Sequence, residues 1–183
     1  MFNRPLIACF LTLLACASAM AQDCDDSAGT SIYLVRHAEK LDGPDPALTE
    51  EGQARAEALR EVMADIALDA IYVTQWQRTR MTAEPVAIAQ GVAMRVHSTE
   101  GQSTQEHVQE VVDDLIENHC GEQVLVVGHS NTIPRIIAGL TAQPMDDLDE
   151  RDYDHFYQVR IWRGRPAELF QTHFGAVNRS GES

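Results

Sequence analysis

Apolar and polar positions along this chain follow two different periods, and the switches between them mark out its elements. Ser31–Val35, Ala70–Val73 and Gln123–Val127 are apolar almost throughout and rich in β-branched residues. Such short runs read as strands buried on both faces. Ala93–His97 reads as a further short strand. Between these runs the apolar positions recur every three or four residues. Thr49 can cap a helix running to about Met63, with Glu50 and Glu51 in its positive first turn. Gly52 inside that helix costs about 1 kcal/mol relative to Ala, and a glycine in such a place often allows close packing. A second helix spans about Gln77 to Gln90 and stops at Gly91; Pro85 within it predicts a kink or an early break. Ser103 and Glu106 have the spacing of a capping box that opens a helix to about Asn118. Pro134 falls in the first turn of a fourth helix ending near Leu140. Phe156–Trp162 and Ala167–Phe174 read as two strands joined around Gly164. Alternating strands and helices predict an α/β sandwich with a largely parallel sheet.

The ends carry separate signals. Arg4 precedes an apolar run from Leu6 to Ala15, and Ala19-Met20-Ala21 has the small-x-small pattern of a cleavage site. Residues 1–21 therefore read as a cleaved signal peptide, too short in their apolar part to span a bilayer. Leu13-Leu14-Ala15-Cys16 supports a rival reading, a lipid anchor on Cys16. Residues 22–183 read as a single domain with no internal repeat, linker or membrane span. The tail from Asn178 is polar and expected to fray. Export places the protein in the periplasm or outside the cell.

Charge narrows the partners. The full chain carries a net −14, and removal of Arg4 with the leader leaves −15. A surface this acidic repels nucleic acid and anionic membrane. Of the four cysteines, Cys9 and Cys16 leave with the leader. Cys24 and Cys120 remain, each shortly before a strand, and an oxidising compartment makes a bridge between them the expected state. Their spacing excludes a cysteine-rich zinc site.

The chemistry lies just after two strands. Arg36-His37-Ala38-Glu39-Lys40 follows the first, and Gly128-His129-Ser130-Asn131-Thr132 follows the Gln123–Val127 run. In open α/β sheets, ligands bind at the carboxyl edge of the strands. Arg36 offers a planar fork for phosphate oxygens. Its charge also disfavours imidazolium and keeps His37 a neutral nucleophile. His129 could hold the transferring phosphoryl group from the side. Arg78 would sit in a first helical turn, where anions are favoured. Arg80, two residues on, faces elsewhere and reads as a surface arginine. Lys40, the one lysine in the chain, is a candidate for the pocket rim. His97, His107, His119, His155 and His173 show no ligand spacing and read as surface or core histidines, so no metal site is expected.

These residues resemble the motifs of the histidine phosphatase superfamily, the phosphoglycerate mutase-like family. Arg36-His37-Ala38-Glu39 is similar to its Arg-His-Gly-Glu, with Ala for Gly. Leu48-Thr49, Gly52 and Ala56 match its Leu-Thr-x-x-Gly-x-x-x-Ala. Thr74, Arg78, Thr82 and Ala83 match its Ser-x-x-x-x-Arg-x-x-x-Thr-Ala, with Thr for Ser and Gln75-Trp76 where Ser-Pro is usual. Gly128-His129 matches its Gly-His. The resemblance implies a three-layer α/β/α sandwich, a phosphohistidine on His37, and a phosphate pocket of Arg36, Arg78 and His129, with no cofactor or metal. It also implies a general acid after the third strand. Glu100 fits that place; Glu106 competes but is explained by its capping box, and Asp45 by its turn-forming Asp-Pro pair. The expected activity is hydrolysis of small or surface-exposed phosphomonoesters. A phosphotransferase or mutase-like enzyme, and a non-catalytic phosphate-binding module, are the alternatives.

Overall fold

A computed structural model describes residues 29–177. The leader with Cys16, Cys24 and the tail from Asn178 lie outside the described residues. In chain order the elements are β1 (Thr30–Arg36), α1 (Glu50–Val62), β2 (Ala70–Val73), α2 (Gln77–Gln90), β3 (Met94–Val96), α3 (Thr104–Asn118), β4 (Gln123–Gly128), α4 (Ile133–Thr141), β5 (His155–Ile161) and β6 (Glu168–His173). They form one sheet in the order β3-β2-β4-β1-β5-β6. The β3-β2-β4-β1 part is parallel, as alternating strands and helices require. β5 runs antiparallel to β1, and β6 antiparallel to β5. Residues 162–167 are too few for a crossover connection, so the last two strands close as a hairpin on one edge.

The two-residue period of a strand divides the core. Ile32 and Leu34 of β1, with Val124 and Val126 of β4, pack against Val112 and Leu115 of α3 and Ile133, Ile136 and Ile137 of α4. Tyr33, Val35, Leu125 and Val127 point the other way, onto Leu59 of α1 and Ala83 and Val86 of α2. Helices thus cover both faces of the sheet, giving three layers. Both faces of β1 and β4 are buried, and this is why those runs are apolar at successive positions.

The caps match their sequence signals. Gly52 N–H donates to the Thr49 hydroxyl at 3.1 Å. Ser103 and Glu106 make the reciprocal bonds of a capping box. Of the kink or early break expected at Pro85, the break does not occur: α2 continues through it from Gln77 to Gln90. A proline inside a helix costs about 3 kcal/mol, and burial of Thr82, Ala83, Val86 and Ala87 on the same helix offsets that cost.

Candidate active site

β1 and β4 are parallel neighbours whose carboxyl ends are level, with Arg36 opposite Gly128. His37 N–H donates to the Gly128 carbonyl at 2.9 Å, which ties the two motifs together. Their imidazoles lie 5.4 Å apart between centroids, edge to face at 65°. Gly128 has to lack a side chain: a Cβ there would stand 2.8 Å from Thr132 Oγ1 and 2.9 Å from Ile133 Cδ1. That space lets the start of α4 fold back on the end of β4, where His129 N–H donates to Thr132 Oγ1 at 2.9 Å.

His37 is 3% exposed. Its Nδ1 lies 2.8 Å from the Ala38 carbonyl. A carbonyl only accepts, so Nδ1 carries the proton and Nε2 keeps its lone pair. Burial pushes this imidazole down to about 2; His129, Arg36 and Arg78 push the same way, against the Ala38 carbonyl. The Ala38 N–H in turn donates to Thr82 Oγ1 at 2.9 Å, and Thr82 Oγ1–H donates to the Arg78 carbonyl at 2.7 Å. α2 thereby fixes both the loop bearing His37 and the residue bearing the guanidinium. His129 is also pushed down, to about 3, by burial and then by Arg78, His107 and Arg36. Its Nε2 lies 3.1 Å from Thr74 Oγ1, and its Nδ1 lies 3.5 Å from Arg78 Nη2.

Two arginines complete the cluster. Arg36 is 5% exposed and rests on Tyr153, with its guanidinium carbon 4.1 Å from the ring centroid. Its Nη1 donates to the Asp149 carbonyl at 2.8 Å and to the Asp152 carbonyl at 3.3 Å. Arg78 sits in the first turn of α2, 4.9 Å over the Trp76 ring. Burial lowers the pKa of both guanidiniums from the ordinary value, and both stay charged. Among the described residues, Arg36 Nε, Arg78 Nε and His107 Nδ1 are buried with no hydrogen-bond partner. Unmatched buried polar groups of this kind are costly, and two of the three are donors. They suit an anion that arrives from solution.

All four residues line one cavity of about 440 Å³, together with Lys40, His107 and Glu150. The expected acids are placed elsewhere. Glu100 is exposed, its N–H donating to Ser98 Oγ at 3.1 Å, and it does not line the cavity. The reason is local: Gln75 exchanges hydrogen bonds with Thr99 at 2.8 and 2.9 Å, so Thr99 faces the cavity and Glu100 faces outward. Glu106 is occupied by its capping box, accepting from Ser103 N–H and Oγ–H at 2.8 Å. Asp45 accepts from Gln77 N–H at 2.8 Å at the start of α2. Glu150, from the segment before β5, is the one carboxylate among the described residues that line the cavity. No strand or helix period marks it in the sequence. Glu39 turns away, held by Arg55 at 2.6 Å.

The remaining histidines divide. His107 reaches the cavity. His119, 1% exposed, lies 2.6 Å from both Tyr72 Oη and Glu122. His155 and His173 sit beside Asp154. Cationic donors ringing a neutral nucleophile can bind a phosphoryl dianion and stabilise charge spread over its oxygens.

A family model described as the histidine phosphatase superfamily (branch 1) matches residues 32–101 and 98–167. No curated protein is a significant match in sequence. Among solved structures, a Nakamurella multipartitia protein described as the phosphohistidine phosphatase SixA is similar, with 24% identity and a TM-score of 0.59; the match covers 83% of this chain and 100% of the other. The protein histidine phosphatase SixA complexed with tungstate gives 16% identity and a TM-score of 0.62 over 78% of this chain and 96% of its own. Bacillus stearothermophilus YhfR gives 21% identity and 0.59 over 84% and 98%. At these identities the likeness is one of fold.

Proposed function

The chain belongs to the histidine phosphatase superfamily, branch 1, and from that premise we propose that it hydrolyses phosphomonoesters through a phosphohistidine on His37. His37 Nε2 gives its lone pair to phosphorus, and the P–O ester bond breaks with its electron pair going to the leaving oxygen. Glu150 relays a proton to that oxygen. Water then attacks phosphorus, the P–N bond breaks, and inorganic phosphate leaves with the imidazole restored. Arg36, Arg78 and His129 hold the three oxygens throughout. As the dianion binds, it favours protonation of His129, which adds a donor where charge accumulates. The observation that carries this reading is His37 Nδ1 bonded to the Ala38 carbonyl at 2.8 Å. It commits the other nitrogen to nucleophilic attack. A pocket built of cationic donors also takes the role a metal ion would otherwise fill, so the reaction is proposed to need none.

We also place the enzyme outside the cytoplasm, on the leader-like residues 1–21. A Cys24–Cys120 bridge belongs to the same proposal, since an oxidising compartment keeps such a pair oxidised. Among the described residues no helix is long and apolar enough to cross a membrane.

The test is turnover of an aryl phosphate in excess chelator, with acid-labile, alkali-stable phosphoenzyme trapped by quenching. Wild type is expected to turn over and to trap phosphate, and His37→Ala to do neither. Turnover that survives His37→Ala, or that the chelator abolishes, would overturn the reading. Phosphate binding without turnover on any ester would favour a binding module.

A further inference from the structure

Asp154, His155 and His173 come together where β5 begins and β6 ends. Each offers one ligand atom, and these atoms all lie within 4.8 Å of one another. Backbone register creates the grouping. His155 is paired with His173 across the antiparallel ladder, and Phe174 N–H donates to the Asp154 carbonyl at 2.9 Å. That bond lies one residue outside the pair, so His155 and His173 form a non-hydrogen-bonded pair, the type in which facing side chains stand closest. Their ring centroids are 4.9 Å apart. Asp154 Oδ2 lies 3.3 Å from His173 Nδ1.

We propose that Asp154, His155 and His173 bind a divalent transition-metal ion of the zinc class. Metal–ligand bonds of about 2.0–2.1 Å in a tetrahedron put neighbouring ligand atoms about 3.3 Å apart. The Asp154–His173 edge already has that length. Two imidazoles with a carboxylate select Zn²⁺, Co²⁺ or Ni²⁺ over Mg²⁺ and Ca²⁺, which prefer all-oxygen shells. Asp154 is 2% exposed, and a carboxylate so buried is stabilised by a cation held against it. Asp152 Oδ2, 3.8 Å from His155 Nε2, is within reach as a fourth ligand. The Gln171 side-chain amide lies 3.0 Å from His155 Nδ1.

The site is separate from the phosphate cavity but next to its frame. Tyr153, between two of the candidate ligands, is the floor under Arg36. An ion there would pin residues 152–155 and the ring on which that guanidinium rests. It takes no part in the reaction proposed above, and the proposal stands whether or not that reaction is right.

The experiment uses the full chain without an affinity tag, stripped by chelator. Co²⁺ titration is expected to give the visible d–d bands of a tetrahedral ion at one per chain, and Zn²⁺ to raise the thermal midpoint. His173→Ala and His155→Gln are each expected to weaken Zn²⁺ binding by more than about tenfold, since loss of even an outer-shell partner costs that much. His173 is half exposed, so His173→Ala should fold, which circular dichroism checks. His37→Ala should bind Zn²⁺ as wild type does. Absence of the Co²⁺ bands, undiminished binding in both variants, or loss of binding only in His37→Ala would each overturn the proposal. The first outcome leaves Asp154 and His173 in contact with no ion between them; the last puts the ion in the phosphate cavity.

Discussion

A histidine becomes a nucleophile when its proton is committed to one nitrogen and its charge is suppressed. His37 meets both conditions through a carbonyl and through burial beside cations. Replacing it with Ala should lower kcat/KM by about 10³-fold or more without lowering stability, because the lost group is itself a desolvated polar one. Arg36→Lys should cost about 10³-fold: a lysine cannot span the two carbonyls and the anion with one planar fork. Denaturant melts alongside the kinetics would separate either effect from unfolding. Glu150→Gln should slow alkyl phosphates and spare aryl phosphates, whose leaving groups need little protonation. Equal losses on both substrates would remove Glu150 from the proton path. Motif spacing was enough to name His37, Arg36, Arg78 and His129 as neighbours. It could not name Glu150, which lies in an irregular segment whose direction depends on β5 folding back beside β1.

Elements hold these residues by close packing. α1 crosses the strand-end loop so tightly that a Cβ on Gly52 would stand 2.1 Å from the Glu39 carbonyl oxygen. Alanine is the better helix former by about 1 kcal/mol. The backbone clash should outweigh that gain, and Gly52→Ala is expected to destabilise by about 1–3 kcal/mol in urea unfolding. Because Glu39 is two residues from His37, activity should fall further than stability predicts. A neutral or stabilising result would show that the loop yields. The sequence signal here was a glycine placed against helix propensity, and the structure supplies its partner. The break expected at Pro85 did not occur because Thr82, Ala83, Val86 and Ala87 on the same helix are buried, a tertiary effect that no local rule contains.

For the whole molecule, pH reports on the buried cluster. His37 and His129 have folded pKa values of about 2 and about 3, below the unfolded value of about 6.5. Between these limits the unfolded chain binds more protons, so stability is full above about 6.5 and is lost as pH falls. Each group contributes at most about 1.4 kcal/mol per pH unit. Acidification also relieves repulsion in a chain of net charge −14. Most of that relief needs the 28 carboxylates to titrate, near about 4, so between about pH 7 and 5 the effect of the two buried imidazoles should dominate. The denaturation midpoint should drop across this range in wild type and drop less in a His37→Ala, His129→Ala double variant. Identical slopes would mean that neither imidazole is held neutral by the fold. In the same range the acid limb of kcat/KM should lack a break near the ordinary imidazole value.

Pattern and spacing determined the order of strands and helices, the doubly buried strands, the caps and the two histidine motifs, because each rests on neighbours a few residues apart. They also implied the shared edge of the sheet, since parallel strands place like ends together. Only the tertiary structure decided which carboxylate faces the cavity, how closely Gly52 approaches Glu39, and that His155 meets His173 beside Asp154. Those facts depend on strand register and on the path of irregular segments. Both are settled by contacts between residues far apart in the chain, where local periodicity carries no information.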